Sequence, residues 1–445
     1  MAVKKLFGTS GIRGLIGSEV TCELALNVGK SLAYYLQNKG SVVIGYDTRT
    51  TNKMLEQAIT AGLLESGVDV IKIGMVPTPL VGYATEKLNA DAGIMLTASH
   101  NPSQYNGIKL WNKNGMAYTS SQEREIEEIY AEKSYTSVSW QNIGKLTQNS
   151  EIKGQYIDDL VSMVNIKKNL KVVIDCASGA GSEISPLVFR KAGCEVTTLN
   201  SQPDGFFPGR NPEPNAENLQ TLMKTVVAIG ADLGIAHDGD ADRMITVDEE
   251  GNISPFDSLL ALISKEFDGD IVTTVDAGLC MDESVKGEVL RTAVGDVNVA
   301  EVIIEKDAAF GGEPSGTWLH PDFCMCPDGI LSGLRMAEIV SRDGKLSELL
   351  SQIPSYPNIR EKITCTKEAK TKVMENMEDL LKDSFDDIAD VNSLDGVRLT
   401  FSDDSWALVR PSGTEDYIRI TLESRNSKRA EEIRDICVKI INGNL

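Results

Sequence analysis

Ser41-Val42-Val43-Ile44-Gly45-Tyr46-Asp47 is a short, β-branched apolar run that ends in a polar loop, and it reads as a buried strand. Met54 to Ser66 follows with helical spacing, and Val68-Asp69-Val70-Ile71-Lys72-Ile73 reads as the next strand. The alternation recurs outward along the chain. Ala92–Leu96, Lys171–Asp175, Asp232–Ala236 and Ile271–Val275 are further short apolar runs with helical segments between them. Such a pattern predicts α/β layers with largely parallel strands.

Three breaks in composition divide the 445 residues. Tyr135 to Ser150 is rich in Ser, Gln and Asn and reads as a linker. Asp248-Glu249-Glu250-Gly251-Asn252 is a turn cluster after a strand, and Ile353-Pro354-Ser355-Tyr356-Pro357-Asn358 is a third break. The expected domains are 1–150, 151–250, 251–357 and 358–445. In the last, a charged helix over Lys367 to Lys382, strands near Gly396–Phe401 and Trp406–Arg410, and a helix over Lys428 to Ile441 suit a small α+β domain.

Composition narrows the function. A formal net charge of −21 argues against a nucleic-acid partner, which calls for a basic face. No apolar stretch reaches the ~18 residues that a membrane span needs. The start has no apolar secretory core, and the eight scattered cysteines read as reduced thiols, so a cytoplasmic location is expected. An anionic ligand would need local Arg, Lys and backbone N–H groups to override the global field.

Polar, glycine-bearing segments interrupt the pattern at strand ends, where open α/β sheets bind ligands. Thr97-Ala98-Ser99-His100-Asn101-Pro102 exposes a hydroxyl that could be a nucleophile or phosphoryl carrier, although a Ser-rich turn has the same composition. His237-Asp238-Gly239-Asp240-Ala241-Asp242-Arg243 places carboxylates at alternate positions, on one side of an extended segment. Three close anions with oxygen-only ligands suit Mg²⁺. An EF-hand would need glycine where Arg243 stands, and a solvated acidic turn is the plainer alternative. Gly311-Gly312-Glu313-Pro314-Ser315-Gly316-Thr317 offers a carboxylate and hydroxyls suited to a sugar. Arg410-Pro411-Ser412-Gly413-Thr414-Glu415-Asp416, with Arg419 beyond it, makes a phosphate cradle. Near the start, Gly8-Thr9-Ser10-Gly11-Ile12-Arg13-Gly14 sets glycines around an arginine.

In this order, from Gly8–Gly14 to Arg410–Thr414, the segments resemble the α-D-phosphohexomutase family over essentially the whole chain. The resemblance implies three similar α/β domains and a smaller C-terminal α+β domain around a central cleft. It implies an isomerase, an intramolecular phosphotransferase of carbohydrate metabolism acting on a phosphosugar. Ser99 would be the phosphoserine, and Asp238, Asp240 and Asp242 would bind Mg²⁺ together with its phosphate. Glu313 and Ser315 would take sugar hydroxyls, while Arg410, Ser412, Gly413 and Thr414 would hold the phosphate that is not reacting. Lys109 matches a lysine near the reacting hydroxyl, Arg13 and Arg243 match cleft arginines, and Thr292 and Gly295 match a loop that orients substrate. A hexose 1,6-bisphosphate is the implied intermediate and activator, and the chain is expected as monomer or homodimer.

Many relatives carry His where this chain has Thr317, so the general base is left between Lys109 and His100, and His100 could instead orient Ser99. His237 and His320 read as structural. The Glu313 and Arg410 loops favour glucosamine phosphate, with mannose or glucose phosphate as the alternative and a non-catalytic sugar-phosphate binder behind it. A serine hydrolase lacks its Gly-x-Ser-x-Gly elbow, and a dinucleotide site at Gly179-Ala180-Gly181 fails at Ile184.

Overall fold

The computed structural model describes residues 6–8, 10–412 and 416–445. Chain contacts separate two compact units, Met1–Pro255 with Ser315–Leu350, and Phe256–Pro314 with Ser351–Leu445.

The first unit opens with β1 (Ile12–Leu15), α1 (Cys22–Tyr35), β2 (Ser41–Tyr46), α2 (Asn52–Glu65), β3 (Asp69–Met75), α3 (Thr78–Lys87), β4 (Ala92–Leu96), β5 (Tyr105–Asn112), α4 (Ser120–Glu132) and β6 (Leu146–Gln148). Their sheet has the order β1-β5-β4-β2-β3-β6. β3, β2 and β4 are parallel, and β5 is antiparallel to β4. Val42 and Ile44 pack with Leu24, Val28, Leu55 and Ile59 of α1 and α2, while α3 covers the other face. Burial on both faces is why these strands read as continuous apolar runs.

A second sheet follows from α5 (Ile152–Ser162), β7 (Lys171–Asp175), α6 (Ser185–Lys191), β8 (Glu195–Leu199), α7 (Gln220–Ile229), β9 (Leu233–His237) and β10 (Met244–Val247), in the order β10-β9-β7-β8. β7 is parallel to β8 and β9, and β10 is antiparallel to β9.

The second unit has α8 (Phe256–Ser264), β11 (Ile271–Thr274), α9 (Cys280–Ser284), β12 (Val289–Thr292), α10 (Asp296–Lys306) and β13 (Phe310–Gly312), with β11 parallel to β12 and β13. The chain then returns to the first unit through β14 (Trp318–Leu319) and α11 (Gly329–Asp343), which packs on β9 and β10, followed by α12 (Leu346–Ser351). The remainder is β15 (Asn358–Thr364), α13 (Lys367–Glu375), α14 (Met377–Lys382), β16 (Ile388–Asn392), β17 (Val397–Phe401), β18 (Trp406–Pro411), β19 (Tyr417–Glu423) and α15 (Ser427–Asn444). These strands form an antiparallel sheet, β15-β19-β18-β17-β16, with Val373, Leu399, Ile420 and Ile433 in one core beneath the helices.

The parallel trios β3-β2-β4, β8-β7-β9 and β12-β11-β13 repeat one arrangement, and the third strand of each runs into a polar segment singled out above. Two local expectations change. Tyr135 to Ser150 is not only a linker, because β6 pairs parallel with β3 at the sheet edge. The charged helix over 367–382 is two helices, parted at Asn376.

Candidate active site

Ser99 lies in the loop after β4, buried, with a positive φ of 48°. That backbone region is unusual for a non-glycine residue and must be held by its surroundings. Arg49 holds it. From the loop after β2, its guanidinium donates to the carbonyls of Ser99 (2.9 Å), Asn101 (2.6 Å), Pro102 (2.7 Å) and Tyr105 (2.9 Å). Asp47 fixes Arg49 in turn, at 3.0 Å from Nε, and accepts from the Thr97 hydroxyl at 2.7 Å. The Thr97 Oγ1 also accepts from the Ser99 N–H at 2.9 Å. Neither Arg49 nor Asp47 was among the sequence candidates, although Asp47 ends the first strand read and Arg49 follows it two residues later.

The three aspartates do not lie along an extended strand. They sit in the tight turn between antiparallel β9 and β10, where Met244 pairs with His237 and Ala241 has φ 57°. This reversal gathers one oxygen from each of Asp238, Asp240 and Asp242 within 4.8 Å of one another. A Cβ on Gly239 would come 2.5 Å from the Ser99 carbonyl oxygen, so glycine lets the two loops touch. Ser99 Oγ donates to Asp238 Oδ2 at 2.7 Å.

Each acid has an outer partner. Asp240 Oδ2 accepts from Thr78 Oγ1 (2.7 Å) and Lys109 Nζ (3.1 Å), and Asp242 Oδ2 accepts from Lys109 Nζ (2.8 Å). The second oxygens of Asp240 and Asp242 are buried and have no hydrogen-bond partner among the described residues. Buried, unsatisfied carboxylate oxygens are costly, and oxygen donors clustered this way fit a hard divalent cation such as Mg²⁺. Burial, then the charges of Asp242 and Asp240, push the Asp238 carboxyl well above its usual range. For Asp240 burial works in the same sense, but Lys109 and Thr78 outweigh it and hold the carboxyl low.

Cations ring the cluster. Arg13, on β1 opposite Gly107, donates to Asn101 Oδ1 at 3.2 Å, and its Nε is buried without a hydrogen-bond partner among the described residues. Lys109, on β5 opposite Met95, is buried; burial works against its charge, yet Asp240 and Asp242 raise its pKa above the usual lysine range. It is therefore held as an ammonium, which counts against its service as a base. His100 Nδ1 lies 3.2 Å from Ser99 Oγ, and Nε2 lies 3.6 Å from Glu213. Burial first, then Arg243 and Arg13, press its pKa well below the ordinary imidazole value, so the ring is neutral near pH 7. Arg243 ends the aspartate turn, and its backbone bridges Thr317, whose hydroxyl is 3.1 Å from Ser315 Oγ. His237 and His320 are buried against Ser185 (2.8 Å) and Ser332 (2.9 Å), as structural residues would be.

The second unit assembles its own set. Glu313 Oε1, just past β13, accepts from the Gly295 N–H at 2.8 Å, and Thr292 Oγ1 donates to the Ala293 carbonyl at 2.8 Å. Asp395 joins this loop to Arg410: it accepts from the Val294 N–H at 3.2 Å and pairs with Arg410 Nη1 at 3.1 Å. Arg410 and Arg419 are cross-strand neighbours on β18 and β19. The Ser412 carbonyl accepts from Lys370 Nζ at 2.7 Å, so Lys370 is a cation at the cradle that was not singled out. Gly413 and Thr414 lie outside the described residues.

Four family models match the chain. The Phosphoglucomutase/phosphomannomutase alpha/beta/alpha domains I, II and III match residues 4–137, 154–251 and 255–356, and the C-terminal domain matches 362–440. A protein of Methanobrevibacter smithii named "Probable phosphoglucosamine mutase" is 85% identical over 445 residues, covering 100% of both chains. One of the same name from Methanothermobacter thermautotrophicus is 58% identical over 433 residues, covering 97% of this chain and 96% of that one. A solved phosphoglucomutase/phosphomannomutase family protein from Burkholderia thailandensis superposes with a TM-score of 0.89 at 27% identity, covering 100% of this chain and 98% of that chain. Among the described residues, no helix is long and apolar enough to cross a membrane.

Proposed function

The chain belongs to the phosphoglucomutase/phosphomannomutase family, and from that premise we propose that it interconverts glucosamine 6-phosphate and glucosamine 1-phosphate, in keeping with the name "Probable phosphoglucosamine mutase" of an 85% identical relative. The observation that carries the chemistry is Ser99 Oγ at 2.7 Å from Asp238, among three clustered aspartates and beside Lys109 and Arg13. A phosphoryl group on Ser99 would face those acids, and only a cation among them offsets the repulsion. Mg²⁺ bound by Asp238, Asp240 and Asp242 would neutralise charge on the transferred group.

The sugar hydroxyl oxygen attacks the phosphorus carried by Ser99, the bond from phosphorus to Oγ breaks, and the hydroxyl proton ends on Oγ. Neutral His100, 3.2 Å from Oγ, is placed to pass that proton, while Lys109 and Arg13 offset charge on the equatorial oxygens. The resulting hexose 1,6-bisphosphate turns over, and its other phosphate returns to Ser99. Glu313, Ser315, Thr292 and Gly295 orient the sugar. Arg410, Ser412, Arg419 and Arg243, with Gly413 and Thr414, hold phosphate. The four domains divided at 150, 250 and 357 belong to this reading, as does a monomer or homodimer. The described cysteines are all free thiols, which supports a cytoplasmic setting.

The test is turnover of glucosamine, mannose and glucose 6-phosphates with Mg²⁺ and a hexose bisphosphate. A preference for glucosamine 6-phosphate of about tenfold in kcat/KM, roughly 1.4 kcal/mol, is expected. Equal or faster turnover of the other two would transfer the assignment to mannose or glucose phosphate. Ser99→Ala should abolish turnover and phosphate incorporation while sugar-phosphate binding persists; unchanged turnover would remove Ser99 from the chemistry.

A further inference from the structure

One face of the C-terminal sheet is covered by helices, and the other carries Trp406 and Leu408 against Val275 and Leu279. Beside that small apolar cluster lies a cavity of about 450 Å³ between α9 and β12 on one side and β16 and β17 on the other. Arg398 of β17 lines it and is only 8% exposed. Its guanidinium stacks on the Trp406 ring at 4.6 Å. It forms no ion pair among the described residues, and its buried Nε has no hydrogen-bond partner there.

Two of the other lining cations hold ion pairs, while the carboxylate of Asp390 also lines the cavity and forms no ion pair among the described residues. Arg291 grips Asp282 through two bonds of 2.8 and 2.7 Å. Arg425 donates to Glu283 at 2.6 Å and stands 3.5 Å from Asp404. Arg398 is thus the lining arginine that no carboxylate contacts directly, although Asp282, Asp276 and Glu423 lie near enough to act on its charge. Burial first, then the nearby Arg291 charge, press against its ionised form and outweigh the opposing fields of Asp282, Asp276 and Glu423. A buried guanidinium whose fork is unfilled is a strong receptor for an oxyanion, because two parallel N–H donors match the two oxygens of a carboxylate or phosphate.

We infer that this cavity is a second oxyanion site, anchored by Arg398, for a small metabolite bearing a phosphate or a carboxylate. It is distinct from the Ser99 centre and from the Arg410 cradle. Because β12 ends at Thr292 and leads directly to Gly295, an occupant would also brace the loop whose Gly295 N–H meets Glu313.

The test titrates the full chain with sodium phosphate, and separately with sodium acetate, at constant ionic strength set by chloride. Tryptophan fluorescence and calorimetry are read together, since Arg398 stacks on Trp406. A saturable response is expected in the wild type and in Arg410→Ala, which removes the substrate cradle. Arg398→Gln should weaken it roughly tenfold or more, the loss expected for a charge-assisted hydrogen bond. Arg398→Lys, which keeps charge but not the fork, should weaken it several-fold and carries the comparison if the Gln variant does not fold. Tighter phosphate points to a phosphoester ligand and tighter acetate to a carboxylate, and either supports the site. No saturable response to either anion, a response indifferent to both Arg398 variants, or one abolished by Arg410→Ala would overturn it.

Discussion

Arg49 shows how much one side chain can organise. Four carbonyls of the serine loop converge on its guanidinium, and Asp47 turns the fork toward them. A loop held this way keeps Ser99 at its positive φ without help from a ligand. Arg49→Lys retains the charge beside Asp47 but satisfies fewer carbonyls. We expect kcat to fall by about 10- to 100-fold with KM little changed, the pattern of a misplaced nucleophile. A lower Tm with unchanged kcat would make Arg49 a matter of stability alone. Ser99 and the three aspartates stood out as candidates because strand ends followed by polar, glycine-bearing runs advertise ligand sites, and the structure brings the four side chains together. Arg49 and Asp47 did not, because Arg49 donates to the Pro102 and Tyr105 carbonyls more than fifty positions along the chain and Asp47 accepts from the distant Thr97 hydroxyl, relations no local pattern records.

At the level of elements, regular structure was read best where both faces are buried. β4 and β7 were anticipated at Ala92–Leu96 and Lys171–Asp175, the bounds that the structure gives them. β6 was missed because Leu146-Thr147-Gln148 is exposed and takes its place through backbone bonds to β3. The N-terminus of α11 yields a prediction. Asp328 caps it by accepting from the Ile330 and Leu331 N–H groups at 2.9 Å, and accepts from the Tyr156 hydroxyl at 2.6 Å. Burial raises its pKa from 3.8 to about 6. The folded state therefore holds this proton more tightly than the unfolded state, so stability falls as pH rises from about 4 to about 6, by about 3 kcal/mol. Asp328→Asn keeps a capping oxygen and cannot ionise. The stability of the wild type relative to this variant should decline across that window, as measured by denaturant titration; parallel profiles would remove Asp328 as the source.

For the whole molecule, the net charge of −21 posed the problem of an anionic substrate. Arg13, Lys109 and Arg243 lie in the first unit beside acids that themselves call for a cation, and under the proposed function they answer that problem locally. Mg²⁺ should therefore raise the unfolding midpoint of the wild type, with about 2.7 kcal/mol of stabilisation at a hundredfold excess over its Kd. Asp240→Asn should lose most of that gain, and a chelator should stop turnover reversibly; a midpoint indifferent to Mg²⁺ would count against the aspartate site. The sequence by itself determined the α/β class, the four-part family architecture and the identity of the polar segments, because apolar periodicity and motif order are local properties of the chain. Only the tertiary structure decided that the acids converge through a β9–β10 reversal, that Ser315–Leu350 returns to the first unit, and that three strand trios share one topology. Those facts depend on which distant backbones pair and how the chain turns between them, and burial of a strand looks the same in sequence whichever neighbour it chooses.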